Sequence, residues 1–466
     1  MIDKLVGVVN DALYTYILIV LLLICGLYFT VRTKFAPFRL FGQQIKSVTE
    51  KPTDGKSVSS FQALMVSTAS RVGTGNIIGV STAICLGGFG SVFWMWVIAV
   101  IGSATALIES TLAQIYKRRG DDGWHGGPAY YIETALHSRP LAVLFSVLLV
   151  ITYGVGFNML ASYNLQSTFS SYGFYHSAYT PWIIGGVLAL VVAYCLFGGG
   201  KRLVKVTGVL VPVMGIAYIG VALVIVLLNV NALPGIFSEI FRDAFDFQAI
   251  FGGFTGSCVM YGIKRGLFSN EAGVGSAPNA SASADVSHPV KQGLVQILSV
   301  FLDTLLVCSA TAFMCLCSGV EPTEALSGAP YVQKALQETL GLFGPIFITV
   351  AMVLFAFTTL LGNLYYVDQS LFFILGRKPG KVALRIYYIL ASLVIFLGAG
   401  LSAELLWGFA DIAMGLMTII NIPVIIILGK YALRALGDFD RKVKEKKEMN
   451  FRAKDIGITE ELDCWE

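Results

Sequence analysis

Charge is what this sequence has least of. Only 13% of its 466 residues are Asp, Glu, Lys or Arg, against about 25% in an ordinary soluble domain. The 33 Lys and Arg outweigh the 29 Asp and Glu by a net charge of only +4, too little to suit a nucleic-acid partner. The four His (His125, His137, His176, His288) are not spaced like metal ligands, and the eight Cys include no CxxC pair. Most of these Cys lie in apolar runs, where a thiol packs as a small apolar group. The first 30 residues or so lack a basic n-region and a small-residue cleavage site before Thr33, so they read as a retained span, not a signal peptide. No Ser/His or metal pair falls at reacting depth, which argues against an intramembrane enzyme. Nothing resembles the ring filter of a channel.

What the sequence has is apolar length. Its hydrophobic fraction is 56% and its mean hydropathy +0.73, the profile of an all-α polytopic membrane protein. About 20 mostly apolar residues span the hydrocarbon. Eleven segments qualify: 12–31, 61–84, 90–116, 139–170, 178–197, 203–229, 246–264, 290–318, 343–375, 382–402 and 404–433. If the N-terminus is outside and the spans alternate, 29 Lys and Arg fall inside and only Lys4, Arg242 and Lys334 outside. Positive charge stays on the cytoplasmic side, so the C-terminus is expected there. Its tail, "FDRKVKEKKEMNFRAK", reads as a solvated charged segment near anionic lipid. Arg71 alone is left within a span.

Setting the first span aside leaves ten, core helices one to ten. Core helix one is interrupted by "RVGTGN" and core helix six, placed at 246–264, by "GGFTGS". Each opens a group of five. Five is odd, so the second group enters the membrane from the opposite side, the arithmetic of an inverted repeat. Core helices three and eight, both over 30 residues, hold matching places in the two halves. The expected organisation is 1–60 for the first span and loop, 61–229 and 246–433 for the two repeats, and 434–466 for the tail.

A broken helix strands backbone N–H and C=O groups in lipid, at several kcal/mol each. It survives where it lines a cavity or binds something. Half-helix N-termini offer N–H groups to an anion and half-helix C-termini offer carbonyls to a cation. Two facing breaks therefore suit a zwitterion. The bland reading is a packing face, since Gly75 and Gly79 form a GxxxG. "GTGNIIG" fails as a dinucleotide fingerprint, because no strand precedes it.

"STASRVGTGNIIGVSTAICLGGFGSVFWMW", "GGPAYYIE" and "GLFSNEAGVGSAPNASA" closely resemble the alanine or glycine:cation symporters, prokaryotic sodium-coupled transporters related to the LeuT-type fold. The resemblance runs from about Phe61 to Leu433. It implies a LeuT-type 5+5 inverted repeat plus one peripheral helix, in the prokaryotic inner membrane. By the same resemblance, Gly73, Thr74, Gly75 and Asn76 form the first substrate-binding break, where the amides of Thr74 and Gly75 hold the substrate carboxylate. Phe254, Thr255, Gly256 and Ser257 form the second, where carbonyls around Phe254 and Thr255 face its ammonium with Ser257 nearby. Sodium (Na+), a co-transported ion and not a cofactor, takes the carbonyls of Ala69, Val72 and Phe355 and the hydroxyls of Thr358 and Thr359. Oxygen donors suit such a hard cation; the competing reading of the two threonines is back-bonding to their own helix. Gln166, deep in core helix three, contacts substrate or makes an interhelical bond. Met260 and Asn363 join Phe254 and Ser257 as pocket walls. Glu109 in "LIESTLAQIYK" satisfies freed amides of the second break or makes a salt bridge.

Arg71 departs from that fold's pattern, which has a small residue there. Its charge would repel a second sodium near Asn76 and Thr255, so one sodium is expected. The alternative is a structural ion pair with Glu109 or Asp303. The function implied is sodium-coupled uptake of alanine, glycine or D-alanine by a monomer in the lipid bilayer. The alternative is proton coupling on the same fold through Asp303 or Asp411.

Overall fold

The computed structural model describes residues 2–52, 57–120, 123–253, 256–377 and 379–465. It is a bundle of helices with one two-stranded hairpin, Arg118–Gly120 against Gly123–His125. Among the described residues, eight helices are long and apolar enough to cross a membrane, including Val6–Arg32, Gly90–Ile115, Arg139–Ser167, Phe343–Leu375 and Ala403–Glu445. Around them, Ile216, Leu190 and Leu227 are at least two-thirds exposed, the apolar exterior that lipid requires.

Core helix one consists of Ser60–Arg71 and Gly75–Gly87 with a break between. Its start is fixed by a capping box. The Gln62 amide donates to Ser59 Oγ, and the Ser59 amide donates to Gln62 Oε1. Core helix two, Gly90–Ile115, packs along Cys258–Asn270 and Pro289–Val300.

The first span lies in a groove of Ala403–Glu445 made by absent side chains. A Cβ at Gly408 would strike Val6, one at Gly415 would strike Leu13, and one at Gly429 would meet the Phe29 ring at 2.7 Å. These glycines sit seven and fourteen residues apart, on one face of the helix.

Core helix six is displaced from where hydropathy put it. Phe247–Gly252 is a single short turn of helix, and Phe251 is 80% exposed. The buried element is Cys258–Asn270, followed by an unwound stretch and then Pro278–Ser281. The reason is charge. Lys264, Arg265 and Glu271 make 258–281 look unfit for a membrane, yet all three are buried and bonded to side chains. Two of the charges counted as inside, Lys264 and Arg265, therefore belong within the bundle, together with Arg71.

The C-terminal tail is also corrected. It is not a free charged segment: Phe451, Ala453, Ile456, Ile458 and Leu462 are buried. Trp465 Nε1 donates to the Gln114 carbonyl at 2.8 Å, and Asp463 Oδ2 accepts from the Arg119 amide at 2.9 Å. Phe451 packs on His288, whose Nε2 meets Asp438 Oδ2 at 3.3 Å. Burial pushes the His288 pKa down from 6.5 to about 3, against the opposing pull of Asp438. His288 is thus neutral when folded, whereas the unfolded chain takes up a proton below pH 6.5. Its contribution to stability is full above 6.5 and is lost as pH falls toward 3. Melting temperature should fall over that window, and His288→Gln should flatten the fall. Identical slopes in both proteins would refute this.

Candidate functional site

The break in core helix one is built by its own side chain. The helix ends at Val72, with φ −76° and ψ 88°. Gly73 N–H, which a continuous helix would return to the Ala69 carbonyl, donates instead to Asn76 Oδ1 at 2.8 Å. Thr74 and Gly75 open the next half-helix, so their amides lack acceptors within it. Asn164 Nδ2 donates to Thr74 Oγ1 at 3.0 Å.

Asn76 holds the break against the second half of the chain. Its Nδ2 donates to Asp303 Oδ1 at 2.6 Å and to Ser269 Oγ at 3.0 Å. Ser269 and Thr304 each donate to Asp303 Oδ2 at 2.7 Å. On the same side, the Phe268 ring lies 2.7 Å from where a Gly75 Cβ would be. Phe268 also packs against the Phe157 and Trp407 rings at a tilt, at centroid distances of 4.6 and 4.8 Å.

Among the described residues, the segment facing this break is therefore 268–277. There the backbone turns sharply: Glu271 has φ 54°, Gly273 has φ 88° and Gly275 has φ 87°. The first is costly for a residue with a Cβ. The amide of Gly273 donates to Glu109 Oε1 at 3.3 Å, and Asn421 Nδ2 donates to Glu109 Oε2 at 2.9 Å. Glu109 thus takes the first of its two expected roles, serving a freed amide of the second break. Glu271 accepts from Ser276 Oγ at 2.6 Å and lies 3.0 Å from Ser70 Oγ.

Of the four residues expected in the second break, Phe254 and Thr255 lie outside the described residues. Gly256 is exposed, with nothing within 4 Å of the place a Cβ would take. Ser257 caps the helix Cys258–Asn270, accepting from the Met260 amide at 3.3 Å. Asn363, expected as a pocket wall, bonds Ser70 and Asn158.

The two elements that carry the expected sodium ligands abut. A Cβ at Gly73 would strike Thr359 Oγ1, and a Cβ at Gly362 would lie 2.6 Å from the Ser70 amide nitrogen and 3.1 Å from the Ala69 carbonyl carbon. Core helix eight, Phe343–Leu375, therefore abuts the end of Ser60–Arg71. Thr359 Oγ1 is buried and has no hydrogen-bond partner. An orphaned hydroxyl costs about 1–3 kcal/mol, and an ion bound there would remove that cost. Thr358 Oγ1 lies 3.0 Å from the Leu354 carbonyl and 3.2 Å from the Phe355 carbonyl and back-bonds to its own helix, the competing reading for this residue.

Arg71 is 2% exposed and makes neither expected ion pair. Its Nη1 donates to Gln296 Oε1 at 2.8 Å, while Nε and Nη2 have no partner. Glu109, Glu271 and Asp303 lie within its Coulomb field but not in contact.

Gln166 is buried and accepts from the Tyr175 hydroxyl at 2.8 Å. It borders a cleft of ≈ 510 Å³ with Asn164, Lys264, Arg265, Trp407 and Asp411. Asp411 Oδ2 lies 3.0 Å from Lys264 Nζ and 2.6 Å from Arg265 Nη2. Sequence reasoning missed Ser269 and Glu271 as parts of the break. The signal was the "NEAGVGS" run, an acid bracketed by residues that tolerate positive φ.

The family model described as the sodium:alanine symporter family matches residues 1–453. The amino-acid carrier protein AlsT of Bacillus subtilis is 41% identical over 464 residues, covering 100% of this chain and 98% of its own length. The probable sodium/glutamine symporter GlnT of the same organism is 41% identical, covering 99% and 96%. The sodium/alanine symporter AgcS of Methanococcus maripaludis is 37% identical, covering 91% and 94%. On these matches the chain belongs to the sodium:alanine symporter family, a membrane transporter and not an enzyme.

Proposed function

We propose that this chain carries small neutral amino acids, alanine and glycine foremost, into the cell together with one sodium ion. The observation that carries this reading is the meeting of two mid-bundle breaks beside an unpartnered threonine hydroxyl, Thr359. The amides of Gly73, Thr74 and Gly75 receive the substrate carboxylate, and Asn76 braces them. The turn at Phe268–Glu271, where the first half of core helix six ends, faces the ammonium in place of Phe254–Ser257. Gln166 and Asn164 stand at the cleft through which substrate enters. Ala69, Val72, Phe355, Thr358 and Thr359 hold the sodium, which travels as cargo.

Both breaks fall near the middle of their spans, 60–87 and 258–281, which supports eleven spans arranged as one plus an inverted 5+5 repeat, with domains at 1–60, 61–229, 246–433 and 434–466. Alternating access follows if the repeats rock about the two breaks. The N-terminus is outside and the C-terminus in the cytoplasm of a prokaryotic cell whose inner membrane holds the chain. A single sodium is favoured because the charge of Arg71, buried beside the first break, would repel a second cation there.

Uptake of labelled alanine into proteoliposomes tests this. A sodium gradient should drive accumulation, with a sodium Hill coefficient near one. Leucine should compete poorly, because the Phe268 ring covers Gly75. Equal uptake with and without the gradient would overturn the symport reading, and a Hill coefficient near two would overturn the single-ion reading.

A further inference from the structure

Hydrogen atoms can be counted around Glu271, and one is missing. Ser70 Oγ has a single proton, yet it lies 3.0 Å from Glu271 Oε1 and 2.8 Å from Asn363 Oδ1. Both are acceptors if Glu271 is a carboxylate. The orientation of Asn363 is fixed further along. Its Nδ2 donates to Asn158 Oδ1 at 3.0 Å, and Asn158 Nδ2 donates to the Gly154 carbonyl at 3.4 Å. A carbonyl only accepts, so turning both amides over would set oxygen against oxygen at Gly154. Ser70 therefore donates to Asn363, and the contact to Glu271 needs a proton from the acid.

Charge points the same way. Glu271 is 1% exposed. Its bonding partners, Ser70 and Ser276, are neutral hydroxyls. The one guanidinium nearby, Arg71, spends its hydrogen bond on Gln296 instead. Glu109 and Asp303, the other carboxyl groups in the cluster, and the Tyr153 and Tyr366 hydroxyls that face it supply no cation. An unpaired buried carboxylate is costly enough to neutralise instead. It would also sit at the C-terminal, negative end of Cys258–Asn270, which disfavours an anion.

We propose that Glu271 carries a proton in this conformation and that this proton is a second ligand of the transport site, bound and released as the breaks move. In the bound form Oε1–H donates to Ser70, Ser70 donates to Asn363, and core helices one, six, eight and three are joined by one chain of bonds. When the second break shifts, Ser70 and Glu271 separate, water reaches the carboxyl, and the proton passes to it. The two carboxylates that hydropathy singles out do not fit this role. Asp303 receives three side-chain donors, from Asn76, Ser269 and Thr304, which satisfy it as a carboxylate. Asp411 is paired with Lys264 and Arg265.

The proposal rests on the symport reading, and the experiment separates the two. Full-length protein in proteoliposomes, with equal sodium on both sides and an alkaline lumen, should take up labelled alanine about tenfold faster than without the pH gradient. Entrapped pyranine should report acidification on alanine addition. Glu271→Gln mimics the protonated acid, since its amide donates to Ser70 and its oxygen accepts from Ser276. Its sodium-driven uptake, whatever its rate, should show neither the pH response nor the acidification. Infrared spectra of the wild type should show a protonated-carboxyl stretch that this variant lacks. An unchanged pH response in Glu271→Gln would overturn the proposal. So would sodium-driven uptake in the wild type with no movement of pyranine, which leaves the symport reading standing. Absence of sodium-driven uptake in the wild type would overturn both.

Discussion

Thr359→Val should weaken sodium binding about 30-fold or more, on the order of 2–3 kcal/mol, while leaving the bundle folded. Valine keeps the shape of threonine and therefore the packing against Gly73, where a Cβ would strike the Thr359 hydroxyl. What it removes is an oxygen that no protein group uses. For most buried hydroxyls, deletion strands a partner and costs stability. Here there is no partner to strand, so the melting temperature without sodium should hold or rise. Loss of one coordinating oxygen is expected to cost about 2–3 kcal/mol of ion binding, a roughly 30- to 150-fold weaker sodium affinity. Thr359→Ser, which restores the oxygen, should recover it. Sodium also stabilises the folded form by mass action, so the wild type should melt higher in sodium than in choline and Thr359→Val should not. Sodium-driven alanine uptake at wild-type affinity in the valine variant would remove Thr359 from the ion site.

The apolar spans and the first break were legible because both rest on local chemistry. Long runs of Leu, Ile, Val and Phe have no soluble alternative, and Gly73-Thr74-Gly75-Asn76 carries its own cap in the Asn76 side chain. Glu109 was legible for a related reason: a carboxylate in an apolar helix must meet donors, and it meets Gly273 and Asn421. The second break was misplaced because its charges are neutralised by distant residues. Lys264 and Arg265 share Asp411, nearly 150 positions away, and Glu271 bonds to Ser70, 201 positions away. A hydropathy window cannot see such partners. Asp411, isolated in the apolar run 404–433, was the visible half of the pair and demanded a cation from elsewhere. The tail was misread on the same principle in reverse. Its lysines drew attention, while Phe451, Ile456, Ile458 and Leu462, spaced by irregular backbone, show no period and yet are buried.

Gly362→Leu should have the larger effect on transport. At Gly362 the neighbour is backbone, with the Ser70 amide nitrogen 2.6 Å and Ser70 Cα 3.0 Å from a Cβ. A side chain there cannot be absorbed by a rotamer change and must push Phe343–Leu375 away from Ser60–Arg71. Overpacking of this kind costs typically about 1–3 kcal/mol in a tolerant core, and this position is less tolerant than most. The displacement would carry Thr358 and Thr359 away from the carbonyls of Ala69 and Val72, and Asn363 away from Ser70. Both the ion site and the bond chain to Glu271 would open together. Uptake should fall at least about 100-fold, the scale on which small misplacements act at preorganised sites. Gly220→Leu is the control: Gly220 is exposed and nothing lies within 4 Å of its Cβ position, so uptake should be unchanged. Gly362→Ala should fall between the two, because its single methyl already meets the Ser70 backbone. Wild-type uptake by Gly362→Leu, at equal protein in the membrane, would mean that these two helices do not form the site.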